Sequence, residues 1–278
     1  MNLFGIPEAQ HYCVGFSRTA GQPSGSLRQY VQQNLNGVVA LQEGSAAFAA
    51  YRDCSLREVE RMLFLAVSQY RRSLDLMLSS SSYWAYVALY YCSYYAATAL
   101  MGVFGGTIAR RTVIDVGTQA PGNQEIRIKR NATPKGLGSH QAFWSVFYNA
   151  VQPLHVWVEP TLLFAIQPIS GSDTWQIDNR NLVNYDSYES CRLIAQFEQS
   201  FRRRHFPTTL PGILNTQFRV ADGLMQITCT FVRQFQLRTD ALKGFGPTGR
   251  RSTKIRHLIF RDAPPALAHR IRRRTIVV

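Results

Sequence analysis

This sequence is poor in charge: of its 278 residues only 17% are Asp, Glu, Lys or Arg, against about a quarter in ordinary soluble domains. Acid is the scarcer half, with 17 Asp and Glu against 31 Lys and Arg and a formal net charge of +14. Cysteine is sparse and scattered, since Cys13, Cys54, Cys92, Cys191 and Cys229 include no close pair. An odd number without short spacings excludes a disulfide framework and a paired-CxxC zinc module, and fits a reducing cytoplasm. No HExxH, GxSxG or P-loop motif occurs, so a metalloprotease, an α/β-hydrolase and a P-loop ATPase have no support. No metal site and no cofactor is expected. Met1 to Glu8 lack a basic run followed by an apolar stretch, so no secretory signal is read there and a cytoplasmic location is expected. What is present is hydrophobic: 46% of residues, enough for a sizeable core and incompatible with disorder of the whole chain.

Between Asp75 and Arg110 there is no charged residue, and Trp84 to Phe104 is long enough to cross about 30 Å of hydrocarbon. Its centre, however, reads Tyr90-Tyr91-Cys92-Ser93-Tyr94-Tyr95. A span would hold those phenols at mid-bilayer, whereas membrane helices carry tyrosine at the two interfaces. The segment therefore reads as a buried core helix, with a membrane anchor through residues 84–104 as the alternative.

Residues 1–54, rich in Gly, Gln, Ser and Ala, read as an irregular N-terminal arm with one short helix near Leu27 to Leu35. Ser55-Leu56-Arg57-Glu58 has the capping-box pattern, and Leu56, Val59, Leu63, Ala66, Tyr70 and Leu74 then recur at helical spacing. A serine run, Ser79 to Ser82, separates this helix from a second one over Tyr83 to Phe104, making an antiparallel hairpin. Alternation in Thr112–Val116 and Glu125–Lys129 predicts a β excursion over about 107–133. Helical character resumes at Ser139, and Pro153, Pro160 and Pro168 cut the following chain into short pieces. Asp186-Ser187-Tyr188-Glu189 opens another helix reaching Arg204, and a last one is expected over Gly212 to Leu237. The fold class is mainly α: a helical bundle over residues 55–210 with a small β-hairpin insertion, a C-terminal helix within 211–242 and a basic tail over 243–278.

Three segments follow one another in this bundle: Tyr90-Tyr91-Cys92-Ser93-Tyr94-Tyr95-Ala96-Ala97-Thr98-Ala99-Leu100, then Gly138-Ser139-His140-Gln141-Ala142-Phe143-Trp144, then Arg180-Asn181-Leu182-Val183-Asn184-Tyr185-Asp186. Their order resembles the HEPN superfamily of small helical bundles, over about residues 55–205. Members carry an aromatic and alanine-rich helix, a Gly-Ser-His turn ahead of the next helix, and an Arg-Asn segment leading into the last bundle helix. The resemblance implies a bundle that commonly dimerises and acts on or around RNA in prokaryotic toxin, antiphage-defence or RNA-processing systems. In nuclease members an Arg, a polar neighbour and a His converge and cleave RNA without metal. A base removes the 2′-hydroxyl proton, the oxygen attacks the adjacent phosphate, and Arg offsets charge developing on the phosphoryl oxygens.

Arg180 and Asn181 match the first two of those positions, and Tyr185 stands where the histidine is expected. A phenol with a pKa near 10 is a poor base at neutral pH. His140, in the Gly-Ser-His turn, is the candidate replacement. The catalytic candidates are therefore Arg180, Asn181, Tyr185 and His140, and the enzyme reading is a metal-independent endoribonuclease with an altered motif. The plainer reading makes Arg180 and Asn181 a structural pair, with Arg180 bridging to Asp178 or Glu189, and makes His140 a histidine of a capping region. A non-catalytic nucleic-acid-binding or scaffold subunit is the alternative function, alone, as a homodimer or beside a partner encoded nearby. Arg251 and His257 repeat an Arg-to-His spacing by coincidence in a segment crowded with basic residues. Gly244 to Gly249 fits GxGxxG literally but lacks the flanking strand and helix, and Pro247 removes an amide from the loop, so it reads as a linker. Arg202-Arg203-Arg204-His205 closes a helix, where positive charge complements the dipole.

The charge is unevenly placed. From Lys243 to Val278 ten basic residues face one acid, Asp262, which puts +9 in 36 residues and leaves +5 for the other 242. Arg250, Arg251, Lys254, Arg256, Arg270, Arg272, Arg273 and Arg274 are the candidate phosphate contacts, with RNA preferred to DNA as partner and a membrane surface disfavoured. Deleting residues 243–278 is expected to weaken RNA binding and to flatten the dependence of log K on log salt. An unchanged slope in a fluorescence titration would remove the tail from binding.

Overall fold

The computed structural model describes residues 1–16, 26–78, 81–109, 111–120, 122–202 and 212–237. In chain order its elements are α1 (Ile6–Val14), α2 (Leu27–Asn34), β1 (Ala40–Gln42), α3 (Ala46–Leu78), α4 (Ser82–Val103), β2 (Thr107–Ala109), β3 (Thr112–Ala120), β4 (Asn123–Lys129), α5 (Ser139–Val151), α6 (Trp175–Tyr185), α7 (Ser187–Arg202) and α8 (Gly212–Gln234). Two short 3-10 helices, Gln152–Trp157 and Pro160–Ala165, follow α5, each opened by a proline that needs no amide partner there. The fold is mainly helical with one small antiparallel sheet.

Helix starts follow the orphan amides of the first turn. Ser26 Oγ accepts from Gln29 N while Gln29 Oε1 accepts from Ser26 N, a complete capping box ahead of α2. Asp186 Oδ1 accepts from the amides of Tyr188 and Glu189 and so begins α7. The start of α3 departs from expectation. Ser45 Oγ, not Ser55, accepts the cap bond, from Phe48 N at 3.1 Å. Ser55 lies buried inside a helix of 33 residues. Small Ala46, Ala47, Ala49 and Ala50 have high helix propensity but no contrast in polarity, so the sequence carries no periodic signal ahead of Ser55. Residues 1–54 are likewise no irregular arm: they hold α1, α2, β1 and the first turns of α3, and bury Phe4, Tyr12, Tyr30, Val31, Leu35 and Tyr51.

The β excursion is larger than a hairpin. Its strands lie in the order β1-β4-β3-β2, all antiparallel, with Ile114 opposite Ile128 and Val116 opposite Ile126 on the buried face. β1 joins through Ala40 opposite Arg127, a partner far along the chain that no local pattern announces.

Helix α4 carries no charge and is covered by α3, α5, α6 and α8. α3 runs antiparallel to it, with Val59 beside Gly102 and Tyr51 beside Gly105. α8 runs parallel, with Gln217 at Tyr86, Thr228 at Ala96 and Phe231 against Phe104. The C-terminal helix is thus a member of the bundle, where the sequence had placed it after the bundle. On its other side α8 approaches the second 3-10 helix so closely that a Cβ on Gly223 would stand 2.7 Å from Ala165 Cβ.

A buried polar network ties four of these helices together. Gln217 accepts from Tyr86 Oη at 3.3 Å and donates to Ser93 Oγ and Gln176 Oε1, while Gln176 donates to Tyr148 Oη. Gln176 and Gln217 are fully buried, so their amides have no water to fall back on. Gln217→Ala leaves Gln176 Oε1 and the Tyr86 hydroxyl without this partner and is expected to cost about 2–4 kcal/mol in urea unfolding. A loss under about 0.5 kcal/mol would show that the network does not hold the bundle.

Candidate functional site

Three elements meet around the middle of α4. Tyr90 and Tyr94, one helical turn apart, face the first turn of α5, where His140 sits. Arg180 lies one turn beyond the buried Gln176 on α6 and so reaches the same place. His140 Nδ1 is 2.7 Å from Tyr90 Oη, and its ring packs on Tyr94 with centroids 4.5 Å apart. Trp144 Nε1, one turn further along α5, donates to the same Tyr90 oxygen at 3.4 Å. Arg180 Nη2 donates to Tyr91 Oη and Nη1 to Asn181 Oδ1, both at 3.0 Å. Its guanidinium carbon lies 5.9, 5.7 and 5.7 Å from the ring centroids of Tyr90, Tyr91 and Tyr185, within cation–π range of all three.

Hydrogen-bond bookkeeping assigns the proton on His140. An indole N–H only donates, so Tyr90 Oη accepts from Trp144; the tautomer that also gives the Tyr90 proton an acceptor has its lone pair on His140 Nδ1. The neutral imidazole then carries its hydrogen on Nε2, which bonds to no described residue. Burial, and after it the nearby Arg180 charge, hold the His140 pKa below its ordinary value, so this neutral donor is the form at pH 7. Burial pushes the Tyr90 hydroxyl well above the ordinary phenol range, and it stays protonated. For Arg180, burial works against the charge, but the oxygens of Tyr91 and Tyr185 outweigh it and hold the guanidinium proton firmly.

No carboxylate pairs with Arg180 among the described residues. Asp178 accepts from Thr174 Oγ1 at 2.6 Å and from Gln141, and Glu189 pairs with Arg192 on its own helix. Neither Asp178 nor Glu189, the acids that the plainer reading names as examples, bridges to Arg180, while the Arg180–Asn181 pair of that reading does form. Arg180 Nε is buried and has no partner. The cluster offers two donors, the guanidinium and His140 Nε2–H, among aromatic faces, and Tyr185 stands 74% exposed at its rim. Such a set suits an anion next to a flat ring, and in the assigned tautomer His140 turns a hydrogen and no lone pair outward.

All four candidates from the sequence therefore belong to this region: Arg180, Asn181, Tyr185 and His140. Arg180 and Asn181 lie on a separate helix, α6, directly ahead of the Asp186 helix, in the stretch after Pro153, Pro160 and Pro168 where the sequence predicts only short pieces. Tyr90, Tyr91, Tyr94 and Trp144 join the site although the sequence marks them only as core or as part of the resemblance; the signal for them is the tyrosine pairing at i and i+4 in a helix with no charge. Arg250, Arg251, Lys254, Arg256, Arg270, Arg272, Arg273 and Arg274 lie outside the described residues, as do Gly244 to Gly249 and Arg203, Arg204 and His205. Residues 84–104, the alternative membrane anchor, are α4 and its first following residue at the centre of the bundle, and no described helix is long and apolar enough to cross a membrane. Among the described residues no group of three His, Cys, Asp or Glu is placed to hold a metal ion. An open depression at the start of α3 is lined by Glu43 and Arg52, but both are engaged, with His11 and Asp53 respectively.

Comparison with family models, curated proteins and solved structures finds no match to this chain.

An NMR titration of His140 is expected to give a midpoint below 6.5, and Arg180→Gln to raise it without reaching 6.5, because burial is the larger cause. With its folded pKa below the unfolded value, His140 takes up a proton more readily in the unfolded chain. Stability then falls as pH drops below about 6.5 and is unaffected by this group above it. A midpoint at or above 6.5 would contradict the neutral donor.

Proposed function

We propose that this chain is a HEPN-like component of a prokaryotic toxin or antiphage-defence system that binds RNA at the Arg180 cluster. The observation that carries the reading is a guanidinium without a carboxylate, held against three tyrosine rings beside an imidazole N–H. Phosphate is the anion that two such donors suit, and a base stacks on an exposed phenol such as Tyr185 at about 1–3 kcal/mol. The three segments of the family resemblance, on α4, α5 and α6, meet at this one place although they are far apart in sequence, which supports the same reading.

Binding fits the geometry better than cleavage. Tyr185 stands where the resemblance expects a histidine, and a phenol is a poor general base, while His140 in the assigned tautomer presents a hydrogen where attack on RNA needs a lone pair. Arg180 could still offset phosphoryl charge, so the ribonuclease reading stays as the second outcome of one experiment. With a labelled single-stranded RNA and no added metal, Arg180→Ala is expected to weaken binding by about 1–3 kcal/mol, roughly 5- to 150-fold, and neither protein to cut the RNA. Cleavage by the wild type that Arg180→Ala abolishes would make the site catalytic, and equal affinity of the two proteins would remove Arg180 from RNA binding.

A further inference from the structure

We propose that the exposed basic corner of the sheet, and the connection running from it to α5, form a second RNA-binding surface that leads the phosphate backbone toward the Arg180 cluster. The inference rests on the RNA-binding reading of that cluster and adds a surface that the reading does not contain.

The corner is built by the open end of the β3–β4 hairpin. Val113 pairs with Lys129, which carries Arg130 to the position opposite Thr112, and the backbone of Ala132 donates to the carbonyl of Arg111 at 3.0 Å, so both arginines stand at the end where the strands part. Arg111, Arg130 and, further along, Lys135 are exposed, and none forms an ion pair with a described residue. The two carboxylates of these strands are already taken: Asp115 holds Lys129 at 2.6 Å, and Glu125 holds Arg127 and Gln42. Arg130 donates to the carbonyl of Leu35, a neutral acceptor that leaves its charge uncompensated. Exposed cations without a counter-charge at one strand end suit an arriving phosphate.

The direction of the surface comes from the chain itself. From Ile126 to Val158 there is no acidic residue. Residues 130–138 span at most about 30 Å when extended, and they end at Gly138, two positions before His140. Nearly every residue of this connection is exposed. Cations thus begin at Arg111 and Arg130, continue at Lys135, and end at Arg180, beside the neutral His140. A polyanion fits this line better than a membrane does. The connection exposes a single large apolar side chain, Leu137, which is little to insert into a bilayer, and the line ends among aromatic faces that suit bases.

The test uses the full chain and a fluorescein-labelled 12-nucleotide poly(U), with anisotropy read from 50 to 300 mM KCl. Arg111→Gln/Arg130→Gln/Lys135→Gln is expected to lower the magnitude of the salt slope by about two, at roughly 0.7 per lost single-strand phosphate contact. Because Arg130 also bonds Leu35, Arg111→Gln/Lys135→Gln is measured too, and a drop of about 1.4 is expected from a variant that leaves that bond in place. Wild-type slopes in both variants overturn the proposal, even where Arg180→Ala weakens binding and so leaves the cluster reading standing. Absence of poly(U) binding by the wild type removes the cluster reading and this surface with it. Vesicles of phosphatidylcholine with 30% phosphatidylserine form the control arm: loss of vesicle binding in the variants with an unchanged RNA slope would assign the corner to anionic lipid and overturn the proposal.

Discussion

Because α4 carries no charge along its 22 residues, no face of it calls for solvent, and the arrangement of the other helices is the answer to how it is covered. A helix apolar all round belongs at the centre of a bundle. Its polar atoms are hydroxyls, and each buried hydroxyl needs a partner from whatever element lies over it. Tyr86 finds Gln217 on α8, Tyr90 finds His140 and Trp144 on α5, and Tyr91 finds Arg180 on α6. The covering helices are thus set by hydrogen bonds as well as by apolar contact, and the candidate site is where two of those bonds reach the surface.

The same constraint gives the site its electrical character. With no acid on α4, and with Asp178 and Glu189 occupied elsewhere, Arg180 is steadied by ring faces and a phenol oxygen instead of a carboxylate. A carboxylate would neutralise it and compete with an incoming anion. Phenols do neither, so the guanidinium is positioned and remains available. His140 is set by a similar chain: Trp144 fixes the direction of the Tyr90 proton, and that proton fixes which imidazole nitrogen faces outward.

Much of the helical frame was legible. The bounds of α4, the Asp186 cap, the two longer strands and α8 all follow from signals that act within a few residues: periodicity, alternation and first-turn acceptors. The misreadings share a cause. Ser55 has the residues of a cap, but α3 had already begun at Ser45 through alanines without polarity contrast. β1 exists because β4 offers it an edge, and α6 forms soon after the proline-divided stretch because Gln176 is locked by Gln217 and Tyr148. In each case a distant partner supplied the stabilisation.

By itself the sequence determined that a chargeless aromatic helix lies at the centre, that a helical bundle carries a small β excursion, and that most of the net charge sits in the last 36 residues. It also placed Arg180, Asn181, Tyr185 and His140 among the residues to watch. Only the tertiary structure decided that Arg180 meets tyrosines and not Asp178, that His140 bonds Tyr90 beside that guanidinium, and that Arg111 and Arg130 are exposed without an ion-pair partner among the described residues. Periodicity reports which face of an element is buried; which atom lies opposite depends on how helices far apart in the chain settle against α4, and no local pattern encodes that.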